Sequence, residues 1–309
     1  MSKQYFSTGQ TTGDHPTDIF AVATTPEYVV TVTGDSIIRI YDALSPDHQL
    51  ARQIHTPHRT GIHHLSVSKD ADLISAVGFD GSISLWTLSE GKEKSIISDT
   101  AKTFWAVAFS PDGIYLAATA IDGNLTVWDV RGDDPEVCGN LETKGTPGLC
   151  IDYSNDGRYI ATGHENGGLY IFDTETSRLS YSLLGHTSAV RTVAFSPLSK
   201  LLAAGGDSNV VTVYSVKSSE MVMLLPGHTR WIMSLDWNFE GEYLLTGSFD
   251  KSLKVWSIDQ KECVATLTDA VAAVWNVKWT KTGGTGRSQG FVSVGADKAL
   301  RWYREATGG

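Results

Sequence analysis

Residues 227–256 read GHTRWIMSLDWNFEGEYLLTGSFDKSLKVW, and the stretch forms one self-contained pattern. It opens with a Gly-His pair, and short apolar segments then alternate with turn-forming Asn, Gly and Asp residues. Such segments, rich in Trp, Leu and Val, are typical of β-strands and not of a helix. The stretch therefore predicts three strands, of which the first ends at Trp237 and the third at Trp256.

Polar side chains in this stretch have the spacing of a clamp that ties the three strands together. Asp250, in the turn between the second and third strands, can accept a hydrogen bond from the imidazole of His228. The imidazole can also reach a hydroxyl, on Thr246 or Ser248, that meets the indole N–H of Trp256. Because buried polar groups must be paired, such a network favours one packing of the strands.

The same pattern recurs along the whole chain at intervals of 42 to 47 residues. The aromatic residue that ends the third strand recurs as Tyr41, Trp86, Trp128, Phe172, Tyr214, Trp256 and Tyr303. The aromatic residue that ends the first strand recurs as Phe109, Tyr153, Phe195, Trp237 and Trp279. A repeat of about 40–45 residues with Gly-His and Trp-Asp landmarks is the WD-repeat signature, with one four-stranded propeller blade per repeat. The sequence thus predicts an all-β, seven-bladed WD-repeat β-propeller, a single domain over residues 1–309.

The polar clamp is expected to be uneven among the blades. It is complete only in blade six and in blade two, which has His58, Asp80 and Trp86. The clamp of blade one is nearly complete, with His15 and Asp35. Blade three has Thr100 at the histidine position, and blade seven has Ala270 there. In blade five, Asp207 stands one residue early. Packing, rather than the clamp, must hold those blades together.

The two ends of the chain are expected to close the ring. Only residues 304–309 follow Tyr303, too few for the outer strand of blade seven, whereas residues 3–8 have the pattern of a strand. The amino-terminal segment is therefore predicted to supply that outer strand, which removes an open sheet edge. Removal of residues 1–10 is then expected to unfold the protein.

Composition limits the classes of partner. The net charge of −10 and the pI near 5.3 argue against a general nucleic-acid or anionic-membrane binder. Cys138, Cys150 and Cys263 form no CxxC pair, so free thiols in a reducing compartment are expected. The amino terminus has no apolar signal region, and no run of 18 apolar residues occurs. We expect a soluble cytoplasmic protein, with the nucleus as a second location.

Three features that suggest chemistry are better explained by structure. The GGTGRS segment within residues 281–288 resembles a phosphate loop, but Lys281 stands where the Walker pattern needs glycine and Arg287 replaces its lysine. His63 and His64, near His58, suggest a metal, but adjacent strand residues point to opposite faces, so a clamp histidine beside a surface histidine is expected. The Ser/Thr, His and Asp of the clamp recur in several blades, as a structural element does. We expect no enzyme activity, metal or cofactor.

Trp105, Trp231 and Trp275 do not stand at either of the recurring aromatic positions. All three lie at the start of first strands. In a propeller these starts, together with the residue before each turn Asp, surround one mouth of the central channel, on the face called the top. The apolar residues predicted to bind a partner there are Phe20, Trp105, Trp231, Met233, Phe249 and Trp275. Glu165 and Asp18 on the same rim could receive an arginine from that partner. The alternative is that the apolar side chains fold into the channel mouth as core.

Several segments resemble one WD-repeat family in particular. The opening MSKQYF, the following DHPTDIFAVA, the central HTSAVRTVAFSP and GHTRWIMSLDWN, and above all the ending DKALRWYREATGG are similar to the fungal WD-repeat subunit of the Ski (superkiller) complex. The resemblance covers the full chain, and the ending is its most specific part.

The resemblance implies a non-catalytic scaffold. In that family the propeller joins a tetratricopeptide-repeat protein and a DExH-box RNA helicase in a cytoplasmic assembly that feeds messenger RNA to the exosome for 3′-to-5′ decay. The tetratricopeptide-repeat protein binds through short segments with a Gln-Arg step followed by an apolar residue, laid across the top face. Related proteins bind the topoisomerase-like protein that makes meiotic double-strand breaks, and animal counterparts join an RNA polymerase II elongation complex. Two alternatives stay open: an adaptor of another assembly, such as a chromatin or ubiquitin-ligase complex, and a propeller enzyme.

Overall fold

The computed structural model describes residues 3–68, 72–143, 145–280 and 289–306. Its strands form seven antiparallel sheets of four strands each. The first strand of each sheet contacts the first strands of both neighbouring sheets, and the contacts return from the seventh sheet to the first. This cyclic arrangement is a seven-bladed β-propeller around a central channel, which confirms the predicted fold class.

Each blade contributes one strand to each of four concentric positions. The first, innermost strands are β2 (Ile19–Thr24), β6 (Ile62–Val67), β10 (Phe104–Phe109), β14 (Gly148–Tyr153), β18 (Val190–Phe195), β22 (Ile232–Trp237) and β26 (Val274–Thr280). The second strands are β3 (Tyr28–Thr33), β7 (Leu73–Gly78), β11 (Tyr115–Ala120), β15 (Tyr159–His164), β19 (Leu201–Gly206), β23 (Tyr243–Ser248) and β27 (Gly290–Gly295).

The third strands are β4 (Ile37–Asp42), β8 (Ile83–Thr87), β12 (Leu125–Asp129), β16 (Leu169–Asp173), β20 (Val210–Ser215), β24 (Leu253–Ser257) and β28 (Leu300–Glu305). The outer strands are β5 (Leu50–His55), β9 (Glu93–Ile97), β13 (Glu136–Leu141), β17 (Arg178–Leu183), β21 (Met221–Pro226), β25 (Glu262–Leu267) and, in blade seven, β1 (Tyr5–Thr11).

The core lies between the blades. One buried cluster joins Val213 and Leu225 of blade five to Trp237 and Trp256 of blade six, and Trp256 is only 1% exposed. Burial of one such large side chain contributes about 1.5–3 kcal/mol. The aromatic residues near the ends of the third strands, predicted to be the last residues of those strands, are followed by one or two further strand residues. They recur because each fills the space between its own blade and a neighbouring one.

The ring is closed by pairing of the two chain ends. The strand β1 runs antiparallel to β28, with Tyr5 opposite Glu305 and Thr11 opposite Leu300. The closing strand thus covers Tyr5–Thr11, where residues 3–8 were predicted, because its pairing continues beyond a bulge between Ser7 and Gly9. Lys3 precedes the strand, forms an ion pair of 2.8 Å with Glu305 and donates its backbone N–H to Val264 of blade six.

The segment that resembles a phosphate loop, residues 281–288, lies outside the described residues. Within the described part of the chain, no helix is long and apolar enough to span a membrane.

Candidate protein-docking face

Every first strand carries a β-bulge at its second residue, at the same end of the propeller. A bulge takes a residue out of the ladder and re-aims its side chain. All seven bulge residues line one cavity of about 760 Å³ that occupies the channel: Phe20, His63, Trp105, Leu149, Arg191, Met233 and Trp275. We call this end of the channel the top mouth.

A second set of residues surrounds the top mouth, each directly after a second strand. In blades two, three, four and six these are Phe79, Ile121, Glu165 and Phe249. Phe79 is 43% exposed and Ile121 is 46% exposed, which is unusual for large apolar side chains in strand turns.

Six ring contacts connect aromatic side chains of five blades. The distances between ring centroids are 4.3 Å for Trp105–His63, 4.8 Å for His63–Phe79, 5.3 Å for Phe79–Phe20, 6.2 Å for Phe20–Trp275, 5.8 Å for Trp275–Phe249 and 5.6 Å for Phe249–Trp231. These are the separations preferred by tilted and edge-to-face aromatic pairs. We call this continuous series of seven rings the aromatic arc. It is open on the side of blades four and five.

The apolar residues predicted to bind a partner lie together at the top mouth, but not at equal depth. Phe20, Trp105, Met233 and Trp275 are half-buried bulge residues. Trp231 was expected at a strand start; it directly precedes β22 and is 43% exposed, because Ile232 and Met233 take the first two strand positions. The mouth is therefore partly core and partly surface, with Trp231 and Phe79 among its most exposed aromatic side chains.

The two predicted acidic residues have different surroundings. Asp18 accepts a hydrogen bond of 3.1 Å from Nε1 of Trp275, which fixes the position of that indole ring. Glu165 is exposed on the open side of the arc. Its backbone N–H donates to the carbonyl of Pro147, which fixes the position of its main chain on the rim.

His63 and His64 were expected to point to opposite faces, and this prediction is wrong. The bulge between Ile62 and His64 interrupts the alternation of the strand, and both imidazoles line the channel. Burial lowers the pKa of His63 to about 3 and that of His64 to about 4, so both rings are neutral at neutral pH. Nδ1 of His64 accepts a hydrogen bond of 3.3 Å from the backbone N–H of Val107 in blade three.

Deeper in the channel, polar side chains connect neighbouring blades. Asp152 accepts the backbone N–H of Phe195 at 2.7 Å, and Asp236 accepts that of Trp279 at 2.8 Å. Nζ of Lys278 lies 2.9 Å from the carboxylate of Asp236. Burial acts to lower the pKa of Lys278, but the nearby Asp236 raises it above its ordinary value. These groups join the first strands of neighbouring blades and therefore have a structural role.

The clamp of blade six is a complete hydrogen-bond chain. Nδ1 of His228 donates to Asp250 at 2.8 Å, Thr246 Oγ1 lies 2.7 Å from Nε2 of His228, and Nε1 of Trp256 donates to Thr246 at 2.9 Å. Burial alone would raise the pKa of Asp250, but hydrogen bonds from His228 and Ser252 hold it well below its usual range.

Blade two has the same chain with its hydroxyl on a different strand. His58 contacts Asp80 at 3.1 Å and Ser84 at 2.9 Å, and Nε1 of Trp86 donates to Ser84 at 2.9 Å. Ser84 belongs to the third strand, opposite Ala76, whereas Thr246 of blade six belongs to the second strand, opposite Lys254. Either member of this cross-strand pair can therefore supply the hydroxyl.

The clamps of the other blades differ from the prediction. In blade one, His15 contacts Thr31 at 3.1 Å, but Asp35 is paired with Arg39 instead. In blade three, Lys102 and not Thr100 takes the place of the histidine, and its Nζ donates to Thr126 at 2.8 Å.

In blade five, Asp207 pairs with Arg191, and Ser208 lies 3.4 Å from Nδ1 of His186. In blade four, His164 from the second strand contacts Thr162 at 3.0 Å, a clamp that the sequence reasoning missed. In blade seven, Asp297 pairs with Arg301 at 2.7 Å.

The described residues contain no group of three or more His, Cys, Asp or Glu side chains placed to hold a metal ion. The top mouth combines stacked rings, half-exposed apolar groups and a few charges at the rim, and this composition is typical of surfaces that bind proteins.

Comparison with known proteins agrees with this picture. The model of the WD domain, G-beta repeat, matches residues 51–87, 91–129, 144–173, 177–215 and 219–257, and each match ends with a third strand of blades two to six. The meiotic recombination protein rec14 of Schizosaccharomyces pombe is 42% identical over 310 residues, 99% of both chains. The antiviral protein SKI8 of Saccharomyces cerevisiae is 27% identical over 65% of this chain and 62% of its own. The WD repeat-containing protein VIP3 of Arabidopsis thaliana is 24% identical over 56% of this chain and 57% of its own.

Proposed function

The chain belongs to the WD-domain, G-beta repeat family and is a WD-repeat scaffold related to rec14 and SKI8, and from this premise we propose that it is the non-catalytic scaffold subunit of a Ski complex. In this role it docks a tetratricopeptide-repeat protein and thereby supports a DExH-box RNA helicase and exosome-mediated 3′-to-5′ decay of messenger RNA. It acts in the cytoplasm, with a further presence in the nucleus.

One observation carries the docking proposal: the aromatic arc leaves Trp231 and Phe79 each 43% exposed at the mouth of a channel. Exposed, contiguous apolar surface on a soluble protein marks an interface, and tryptophan is enriched among the residues that dominate binding energy. Glu165, on the open side of the arc, is available to an arginine of the docked segment, and Asp18 fixes the orientation of the Trp275 ring.

A second role in meiosis is supported by the relation to rec14, whose similarity extends over 99% of both chains. We propose that the same face also binds the topoisomerase-like protein that makes meiotic double-strand breaks. The alternative function, an adaptor in an RNA polymerase II elongation or chromatin complex, would use the same fold with other partners, and partner identification separates the two.

The test is affinity purification from native lysate of the wild type and of a Trp105→Ala, Trp231→Ala double variant, followed by mass spectrometry. We expect the wild type to recover a tetratricopeptide-repeat protein and an RNA helicase, and the double variant to lose both. With the purified tetratricopeptide-repeat protein, Trp231→Ala alone is expected to cost about 2 kcal/mol or more of binding free energy.

The matched control is Tyr115→Ala, since Tyr115 is a 37% exposed aromatic residue at the start of a second strand, away from the top mouth. Equal recovery of these partners by the double variant and the control would show that the aromatic arc is not the docking face. Recovery of neither partner by the wild type would favour the alternative adaptor.

A further inference from the structure

Two arginines flank the Trp231 end of the aromatic arc. The guanidinium of Arg191 lies 4.6 Å from the ring centroid of Trp231, and that of Arg230 lies 4.5 Å from the ring centroid of Phe249. Because Trp231 and Phe249 are themselves in contact, the two cations and two rings form one group. Such a cation–π contact holds a guanidinium group in place without using its N–H donors.

The two arginines differ in how their charge is balanced. Arg191 is paired with Asp207, with Nη2 3.1 Å from Oδ2, and its side chain is 27% exposed. Arg230 is exposed, and no carboxylate in the described part of the chain forms an ion pair with it. Arg230 is therefore an uncompensated cation, oriented by Phe249, in a protein whose net charge is −10.

The charges change sign across the open side of the arc. Glu165 lies in blade four, the balanced Arg191–Asp207 pair lies in blade five, and Arg230 lies at the entry to blade six. A segment that crosses this side from blade four to blade six thus lies beside a negative group at blade four and a positive group at blade six. Complementary charge of this kind determines orientation and register more than it adds affinity.

We propose that Arg230 is a carboxylate-binding residue of the top mouth, and that the docked segment of the protein partner carries an acidic residue there. The segment seats an apolar side chain on the aromatic arc, directs a cation toward Glu165 and places its carboxylate on Arg230. This inference rests on the proposed docking function and adds the acidic residue and the placement of the segment's two charges.

Single-stranded RNA is the other occupant that arginines beside exposed rings could suggest, because bases stack on aromatic side chains and phosphates bind arginine. The net charge of −10 and the exposed Glu165 at the same mouth oppose a polyanion. A short segment of protein with both signs of charge fits both ends of the open side.

The experiment measures binding of the purified chain to the purified tetratricopeptide-repeat protein at about 50 mM and about 1 M salt. We expect Arg230→Glu to weaken binding at least about tenfold at low salt, with Arg230→Gln in between. The difference should shrink at high salt, where the screening length is about 3 Å. The matched control is Arg178→Glu, the same charge change at an exposed residue of the outer strand of blade four.

Charge-reversal rescue tests the contact itself. Acidic residues in the docked segment of the partner are changed singly to Lys, and one of these changes is expected to restore binding of Arg230→Glu while weakening that of the wild type. Thermal melting of Arg230→Glu should match that of Arg178→Glu, because Arg230 is exposed.

Each contrary result has a distinct meaning. Equal binding of Arg230→Glu and Arg178→Glu at low salt, or tighter binding of Arg230→Glu, overturns the carboxylate site and leaves the docking function intact. A polyuridine oligonucleotide that competes with the tetratricopeptide-repeat protein for the wild type, but not for Arg230→Glu, would indicate an RNA site. That result overturns the carboxylate site. Failure of the wild type to bind the tetratricopeptide-repeat protein removes both this inference and the docking function on which it rests.

Discussion

Replacement of Thr246 by valine tests whether the clamp of blade six stabilises the propeller. Valine has nearly the same shape but no hydroxyl, so Nε2 of His228 and Nε1 of Trp256 both lose their hydrogen-bond partner. Neither atom gains access to water, since the His228 side chain is fully buried and Trp256 is 1% exposed. An unsatisfied buried polar group costs about 1–3 kcal/mol, so the two together predict a loss of about 2–6 kcal/mol.

The assay is urea unfolding followed by tryptophan fluorescence, with Thr229→Val as the matched control. Thr229 is exposed in the same blade, so the same substitution there should change the free energy of unfolding by less than about 0.5 kcal/mol. If Thr246→Val is as stable as Thr229→Val, the clamp contributes no net stability. The expected cost of leaving Nε2 of His228 and Nε1 of Trp256 without a hydrogen-bond partner would then be wrong.

Two further predictions concern the closure and the channel. Deletion of residues 1–11, which removes β1, is expected to abolish the cooperative thermal transition, because β28 then becomes an open edge; an unchanged melting curve would contradict the closure. The pKa of His64 is lowered by burial to about 4, whereas an unfolded histidine titrates near 6.5, so the unfolded state binds protons first and stability falls as pH drops from about 6.5 to 4. His64→Asn should flatten that fall in pH-dependent unfolding, whereas exposed His55→Asn should leave it unchanged.

The fold could be predicted from the sequence because its determinants recur. Trp256 and its counterparts in the other blades occupy the same place between blades, so two independent aromatic registers were enough to count the blades. The ends of the first strands of blades three to six were also located correctly by their closing aromatic residues, such as Trp237, whereas that of blade seven continues one residue beyond Trp279. A seven-fold repetition reinforces a signal that would be weak in one repeat.

The clamps could be predicted only where the residues follow the family pattern. The clamp requires a polar side chain that reaches a buried hydroxyl, and several sequence positions can supply it. Lys102 reaches Thr126 from two residues beyond the expected histidine position, and His164 acts from inside the second strand of blade four. Sequence spacing cannot identify such substitutes, because side-chain length compensates for a shift along the chain.

The bulges were invisible in the sequence, and they explain the error at His63 and His64. Strict alternation assigns neighbouring residues to opposite faces, but one extra residue in the first strand brings both to the channel. Arg230 was overlooked for another reason. Its only signal is its place directly before Trp231, and its importance depends on the ring of Phe249, which is 19 positions away in sequence.

The bulge position separates what the fold requires from what it leaves free. A residue at a bulge does not belong to the hydrogen-bonded ladder, so the ladder does not restrict its type. Accordingly the seven positions differ widely in chemistry: Phe20, His63, Trp105, Leu149, Arg191, Met233 and Trp275. The repeat therefore determines the place of these side chains but not their chemistry. We therefore expect the aromatic arc on one side of this ring and the charges on the other to determine which partner the propeller binds.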